Sequence, residues 1–173
     1  MEQAVNETKT RTSRSRENLQ TPGTIPGAMP RPRPPAAEPH WPLSDCLELG
    51  AYAEAVPSAR LHTRAILTEW GLAELADSAE SVVAELVTNA VEAARREHLN
   101  APVRLTLLAG LRTVLIVVRD PSSCPPVPGS PDGDDETGRG LMIVAALSAH
   151  WGWKPTPGGG KVVRALVAGE RHA

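Results

Sequence analysis

The stretch SVVAELVTNAVEAARR, residues 81–96, carries the most regular pattern in this chain of 173 residues. At 100° per residue its apolar side chains fall on one arc about 180° wide, which predicts an amphipathic helix over residues 77–97 that packs on a core. Glu85 and Asn89 lie four residues apart at the flank of that arc, so they are neighbours on one helix face. Taken alone, such a pair usually lies on a solvated face of a helix. The alternative is that both side chains point into a cleft.

Two apolar segments follow this helix and predict strands. Val103, Leu105 and Leu107 alternate with polar or small neighbours, and residues 113–119 form a nearly continuous apolar run. Asp120 comes directly after that run, at the end of a buried strand. Ahead of Pro121 it is either a turn-former or a fixed acceptor for a donor on a ligand, such as an exocyclic amine.

A segment rich in proline, glycine and aspartate, residues 120–137, predicts a long loop. It leads to Gly138-Arg139-Gly140 at the start of a third predicted helix, residues 141–149. Glycines allow another group to approach the backbone closely, and the free N–H groups at a helix start attract phosphate. A simple turn from loop to helix is the alternative interpretation of this motif.

The remaining patterns complete the order of elements. Upstream, the chain predicts a strand at 43–52 and a helix whose first turn holds Pro57 and which ends at Trp70, before Gly71. Downstream, it predicts a short strand at 151–153, a glycine turn at 158–160 and a last strand at 161–167. The order β-α-α-β-β-loop-α-β-β predicts an α+β fold: a two-layer sandwich of one mostly antiparallel mixed sheet with helices packed on one face.

The order and spacing of three motifs resemble the GHKL ATPases, the superfamily of histidine kinases and type II topoisomerases. The motifs are ELVTNAV at 85–91, an Asp at a strand end 31 residues after Asn89, and ETGRGLMIV at 136–144. Residues 70–91 and the ending GRGL…WGW…GGK at 138–161 are most similar to small stand-alone ATP-binding proteins of actinobacteria, related to anti-sigma-factor serine kinases. The resemblance covers about residues 45–170, and the combination is far more specific than any single motif.

The resemblance implies a role for each motif. Asn89 would hold Mg²⁺ against the phosphates of ATP, Glu85 would be the general base, and Asp120 would accept from the adenine amine. Residues 121–137 would form a lid over the nucleotide. The phosphates would lie at the start of the third helix, at Gly138, Arg139, Gly140 and Leu141. Mg²⁺ prefers oxygen ligands and keeps several waters, so one amide oxygen from the protein is sufficient.

The chain departs from the family pattern at two places. Family members often have a glycine pair soon after the adenine-reading Asp, whereas here Asp120 is followed by Pro-Ser-Ser-Cys and further prolines. Many relatives also carry a His near the position of Ala93. The first departure bears on the shape of the lid, and the second on contacts with the phosphates.

The N-terminal part differs from the rest of the chain. Eight prolines lie between residues 21 and 42, and few large apolar side chains accompany them. Proline removes backbone donors, and too little apolar surface is present to offset the entropy of ordering. We therefore predict a disordered Pro/Arg-rich arm at 1–42 and one ATP-binding domain at 43–173. Met29 lies inside the arm and is an alternative to Met1 as the start.

Composition restricts the classes of function. The formal net charge of −2 excludes a molecule that binds nucleic acid through its overall charge. No apolar segment reaches the roughly 20 residues that a membrane span needs. Cys46 and Cys124 lack the spacing of a metal site and are expected to be free thiols in a reducing compartment. We expect a cytoplasmic protein without membrane or direct nucleic-acid contacts.

Two functions compete. The first is a Mg-ATP-dependent serine/threonine kinase of the anti-sigma-factor type, which phosphorylates a small anti-sigma-factor antagonist and binds a sigma factor. Glu85 favours it, because nucleotide binding alone needs no base there. The second is a non-catalytic module that binds ATP and sequesters a protein partner, which the altered lid sequence favours. DNA binding through the basic arm has little support, and a homodimer is left open.

Overall fold

The computed structural model describes residues 40–126 and 139–169, and these form five strands, three α-helices and one 3₁₀ turn. In chain order the elements are β1 (Leu43–Leu49), α1 (Ala55–Glu69), the 3₁₀ turn (Ala73–Leu75), α2 (Ala76–Arg96), β2 (Val103–Gly110), β3 (Thr113–Asp120), α3 (Arg139–Leu147), β4 (His150–Pro155) and β5 (Lys161–Ala168). The predicted order of elements is confirmed.

The strands form one sheet in the order β1-β2-β3-β5-β4. All four pairings between the described strands are antiparallel, which confirms the predicted α+β fold with a mostly antiparallel sheet. The order is not sequential, because β5 lies between β3 and β4. This insertion places the start of β5 beside the end of β3, so Asp120 and Lys161 are Cα partners.

The helices pack on one face of the sheet, and the core lies between the two layers. Residues of α2 that were predicted to face the core are buried, including Val82, Val83 and Leu86. From the sheet, alternate residues of β2 and β3 meet them, such as Leu107 and Ile116. Because side chains alternate across a strand, Asp120 shares the helix-bearing face with Ile116 and Val118.

The bounds of β1 and α3 differ from the prediction. β1 ends at Leu49, three residues early, because residues 50–54 turn into α1. α3 already includes Arg139, where the described residues resume and which is two residues before the predicted start of the helix, and it ends at Leu147. Gly140, the second glycine of the Gly-Arg-Gly motif, therefore lies inside the helix. Gly71 follows Trp70, the C-terminal cap of α1, and adopts a φ of 71°, as predicted for a residue that ends a helix.

No helix within residues 40–126 and 139–169 has both the length and the apolar character that crossing a membrane requires.

The predicted arm at 1–42 lies almost wholly outside the described residues, which begin at His40. Gly110, the last residue of β2, is close to both the His40 carbonyl and the Trp41 ring, so residues 40 and 41 lie against the end of this strand. We propose that the domain boundary lies just before these contacts.

A chain that begins at His40 is expected to keep the melting temperature and ATP affinity of the full chain, because it retains the contacts at Gly110. Differential scanning fluorimetry and calorimetric titration would measure the two quantities. A drop of more than a few degrees would show that residues before His40 pack on the domain and that the proposed boundary is wrong.

Candidate functional site

Asp120 ends β3 as a buried carboxylate with two donors. Its side chain is 2% exposed and forms an ion pair with the ammonium of Lys161, which is 4% exposed, across the β3–β5 pair. The backbone N–H of Ser122 donates to Asp120 Oδ1 at 2.8 Å, which closes a tight turn after the strand. Because each carboxylate oxygen accepts from a donor, the arrangement fits the ionised form of Asp120.

Ser122 extends this pair into a network that ties down the chain after β3. Its hydroxyl donates to a carboxylate oxygen of Glu97, at the C-terminal end of α2, and accepts from the Cys124 N–H at 3.1 Å. Its carbonyl accepts from Lys161 Nζ at 3.2 Å. Hydrogen bonds from the side chains of Cys124 and Ser122 lower the pKa of Glu97. Residues 120–124 are thus held between α2 and β5.

The pKa of Asp120 results from opposed influences. Burial is the largest and raises the pKa above the ordinary value of 3.8, because it penalises the charged form. The hydrogen bond from Lys161, the Ser122 N–H and the charge of Lys161 lower it, and the charge of Glu97 raises it slightly. The net direction is upward, so Lys161 offsets only part of the cost of burying this carboxylate.

Gly160 makes the approach of β5 to β3 possible. Its φ of 78° lies in the left-handed region, and a Cβ at this position would collide with the backbone carbonyl oxygens of Asp120 and Pro121. Its N–H donates to the Ser123 hydroxyl at 3.0 Å. The neighbouring Gly159 has a φ of 88° but open space around it. Position 160 therefore requires glycine for two reasons and position 159 for one.

The other predicted residues meet where α2 faces the start of α3. Glu85 and Asn89 are half-buried on α2, one turn apart, and the Glu85 carboxylate lies so close to Gly140 that a Cβ there would collide with it. Arg139 is exposed and Leu141 is buried in the core, so of Leu141 only the backbone is free to face a ligand. Gly138 lies outside the described residues.

A family model described as the histidine kinase-like ATPase domain matches residues 49–166. This chain belongs to the histidine kinase-like ATPase domain family. Membership implies that the chain binds ATP. A search of curated proteins found no match.

The residues of the candidate site have the chemistry that a nucleotide-binding site in a histidine kinase-like ATPase domain needs. Asp120 on the helix-bearing face is a fixed acceptor at a strand end, and Gly140 lies at the start of α3 with the Glu85 carboxylate close beside it. The N–H groups at the start of a helix are a common binding place for phosphate. Within residues 40–126 and 139–169 no three His, Cys, Asp or Glu side chains cluster as a metal site. A Mg²⁺ ion held by Asn89 and by phosphate oxygens needs no such cluster.

Sequence reasoning missed three residues of the site in this ATPase domain: Lys161, Ser122 and Glu97. Lys161 is the last residue of the GGK motif, but it was interpreted only as the start of the last strand. A lysine at the start of an apolar strand was the available signal, because a fully buried lysine almost always has a charged partner. Ser122 and Glu97 carried no such signal, since each is an ordinary surface residue type in a turn or at a helix end.

Proposed function

We propose that this ATPase domain is a Mg-ATP-dependent protein serine/threonine kinase of the anti-sigma-factor type, whose substrate is a small anti-sigma-factor antagonist and whose other partner is a sigma factor. The observation that carries the proposal is the position of Glu85 beside Gly140. By the resemblance, this is the side on which the phosphates of ATP would lie, and a carboxylate there contributes no attraction to them, so we infer that it has a chemical role. General base catalysis on a serine hydroxyl is such a role.

The proposed mechanism uses few groups. Asp120 would accept from the adenine amine, and the first N–H groups of α3 would bind phosphate oxygens. Asn89 would hold Mg²⁺ through its amide oxygen, and the ion would neutralise charge on the phosphates. Glu85 takes the proton from the serine hydroxyl of the antagonist as that oxygen bonds to the γ-phosphorus, and the bond to the leaving ADP oxygen breaks. Most of the rate enhancement in such transfers comes from positioning and from stabilising charge.

A non-catalytic ATP-binding module that sequesters its partner is the second candidate. The structure of residues 120–124 favours it, because Ser122 is bonded to both Glu97 and Lys161 and anchors the first residues of the predicted lid. A lid anchored in this way suits slow exchange of bound nucleotide more than repeated turnover. In this alternative Glu85 would only shape the surface near Gly140.

Transfer of labelled phosphate distinguishes the two candidates. The purified chain would be incubated with γ-labelled ATP, Mg²⁺ and each anti-sigma-factor antagonist from the same genome, and labelled serine would be identified by mass spectrometry. The kinase proposal predicts label on one antagonist, with loss of its affinity for the chain. If Mg-ATP binds tightly and no antagonist gains label, the binding module replaces the kinase.

Asn89→Ala is expected to remove the part of ATP-induced stabilisation that depends on Mg²⁺. Saturation at 100 times the dissociation constant adds about 2.7 kcal/mol to the free energy of unfolding of the wild type. Thermal unfolding with ATP alone, with Mg-ATP and with EDTA would separate the contributions of nucleotide and metal. Asn100→Ala is a matched control, because Asn100 is exposed beyond the end of α2. Equal Mg²⁺ dependence in Asn89→Ala and wild type would rule out Asn89 as the metal ligand.

A further inference from the structure

We propose that Lys161 is a positioning residue for nucleotide selection: it holds the carboxylate of Asp120 ionised and oriented, so that discrimination of ATP from GTP depends on this lysine. The inference rests on the proposed role of Asp120 as acceptor for the adenine amine. It adds a second residue to that role, from another strand and without direct contact with the base.

The geometry of the pair supports this role. Lys161 and Asp120 are Cα partners on the central strand β3 and its neighbour β5, and both side chains are almost fully excluded from solvent. The lysine ammonium donates to Asp120 Oδ2 and to the Ser122 carbonyl at 3.2 Å, while the Ser122 N–H donates to Asp120 Oδ1. The two strands and the turn therefore determine both the plane and the position of the carboxylate.

The hydrogen bonds from Lys161 and Ser122 leave acceptor capacity on the carboxylate unused. A carboxylate has about four lone-pair sites, and the donors from Lys161 and Ser122 occupy one on each oxygen. A protonated carboxyl group, by contrast, presents a hydrogen that opposes the amine of adenine and suits the carbonyl of guanine. The charge state of Asp120 thus decides which purine it accepts.

Among the charged groups around Asp120, Lys161 is the residue that favours the ionised form of the carboxylate. Burial raises the pKa of Asp120, and the charge of Glu97 on α2 acts in the same direction. Lys161 on β5 opposes both through its hydrogen bond and its charge, and the Ser122 N–H in the turn supports it. Without the ammonium, a buried carboxylate has no counter-charge and takes up a proton more readily.

Four variants test the proposal. Lys161→Met removes the lysine charge with little change in volume, whereas Lys161→Arg keeps the positive charge. The double variant Asp120→Asn/Lys161→Met removes both charges of the pair, and Lys154→Met is the matched control. Lys154 is an exposed lysine on the neighbouring strand β4. The affinities for ATP and GTP and the melting temperature without nucleotide would be measured for each variant between pH 5 and pH 9.

The expected result is specific to the loss of the lysine charge. At pH 7 Lys161→Met loses at least about tenfold of the ATP-over-GTP preference, the scale of one hydrogen bond to a charged group. Its melting temperature falls by roughly 10 °C or more, because one partner of a buried pair is left alone. The preference recovers at higher pH, where Asp120 ionises. Lys161→Arg, which keeps the charge, should keep the preference for ATP at pH 7, and Lys154→Met should resemble the wild type.

The pH dependence of stability without nucleotide provides an independent readout. A carboxyl group whose pKa is higher in the folded chain contributes stability at low pH, and this contribution is lost as the pH rises through the folded pKa. The deficit of Lys161→Met relative to the wild type should therefore grow from pH 5 to pH 9. The double variant should lose this slope, because it no longer has the titrating group.

Three results would overturn the proposal. If Lys161→Met keeps the wild-type preference for ATP at every pH, Lys161 serves structure alone, although the proposed function stands. If Lys161→Met does not fold, the double variant decides: a stable double variant with the full ATP preference shows that neither charge selects the base. A wild type that binds ATP and GTP equally would contradict the role of Asp120 and the inference together.

Discussion

Glu85→Ala is expected to lower phosphotransfer to the antagonist by about 10²–10⁴-fold, the usual contribution of a positioned acid–base group. ATP binding should change little, because a base acts on the attacking hydroxyl and contacts neither the adenine nor the metal. The carboxylate lies beside Gly140 at the start of α3, and its removal leaves the fold of α2 intact, since alanine is the best helix former. Calorimetry would measure ATP binding, and label transfer would measure turnover.

The control for this experiment is Glu92→Ala, which removes an exposed carboxylate from the same helix. It should leave both quantities unchanged. Glu85→Gln keeps the size of the side chain and should share the catalytic loss of the alanine variant. If ATP binding falls in step with turnover in both Glu85 variants, Glu85 supports the metal or the nucleotide and the role of base is wrong.

Gly160→Ala is expected to lower the free energy of unfolding by about 2–5 kcal/mol, from left-handed backbone strain together with overpacking. Its Cβ would meet the backbone oxygens of Asp120 and Pro121, which cannot move without displacing the end of β3. Because this displacement also separates Asp120 from Lys161, ATP affinity should fall with stability. Urea unfolding and calorimetric titration would measure the two effects.

Gly159→Ala separates the two causes. Gly159 shares the left-handed backbone, with a φ of 88°, but has no atom near its Cβ position. It should cost about 1–2 kcal/mol, the strain alone, and leave ATP affinity unchanged. Equal losses in the two variants would mean that the close approach of Gly160 to β3 contributes nothing to stability.

Much of the fold follows from local patterns in the sequence. The helical period over residues 81–96 predicts α2 and its buried face, and the apolar run at 113–119 predicts β3, because periodicity reports which side of an element leaves water. Boundaries were less well predicted: β1 ends at Leu49 and not at residue 52, because residues 50–54 turn into α1.

The residue types of the proposed site were also visible in the sequence. Glu85 and Asn89 stand one helical turn apart, and Asp120 directly follows a buried strand, so their chemistry was apparent before their positions were known. The contacts of these three residues were not visible, because a solvated helix flank and a turn-forming residue have the same local sequence pattern as a binding site.

Only the tertiary structure decided which of these residues meet. The insertion of β5 between β3 and β4 pairs Asp120 with Lys161, 41 residues later in the chain, and the packing of α3 on α2 brings Gly140 to Glu85. Local periodicity determines whether a segment is helix or strand and which face it buries. It contains no information on which distant strand becomes the neighbour, because that choice depends on how the whole sheet closes over one core.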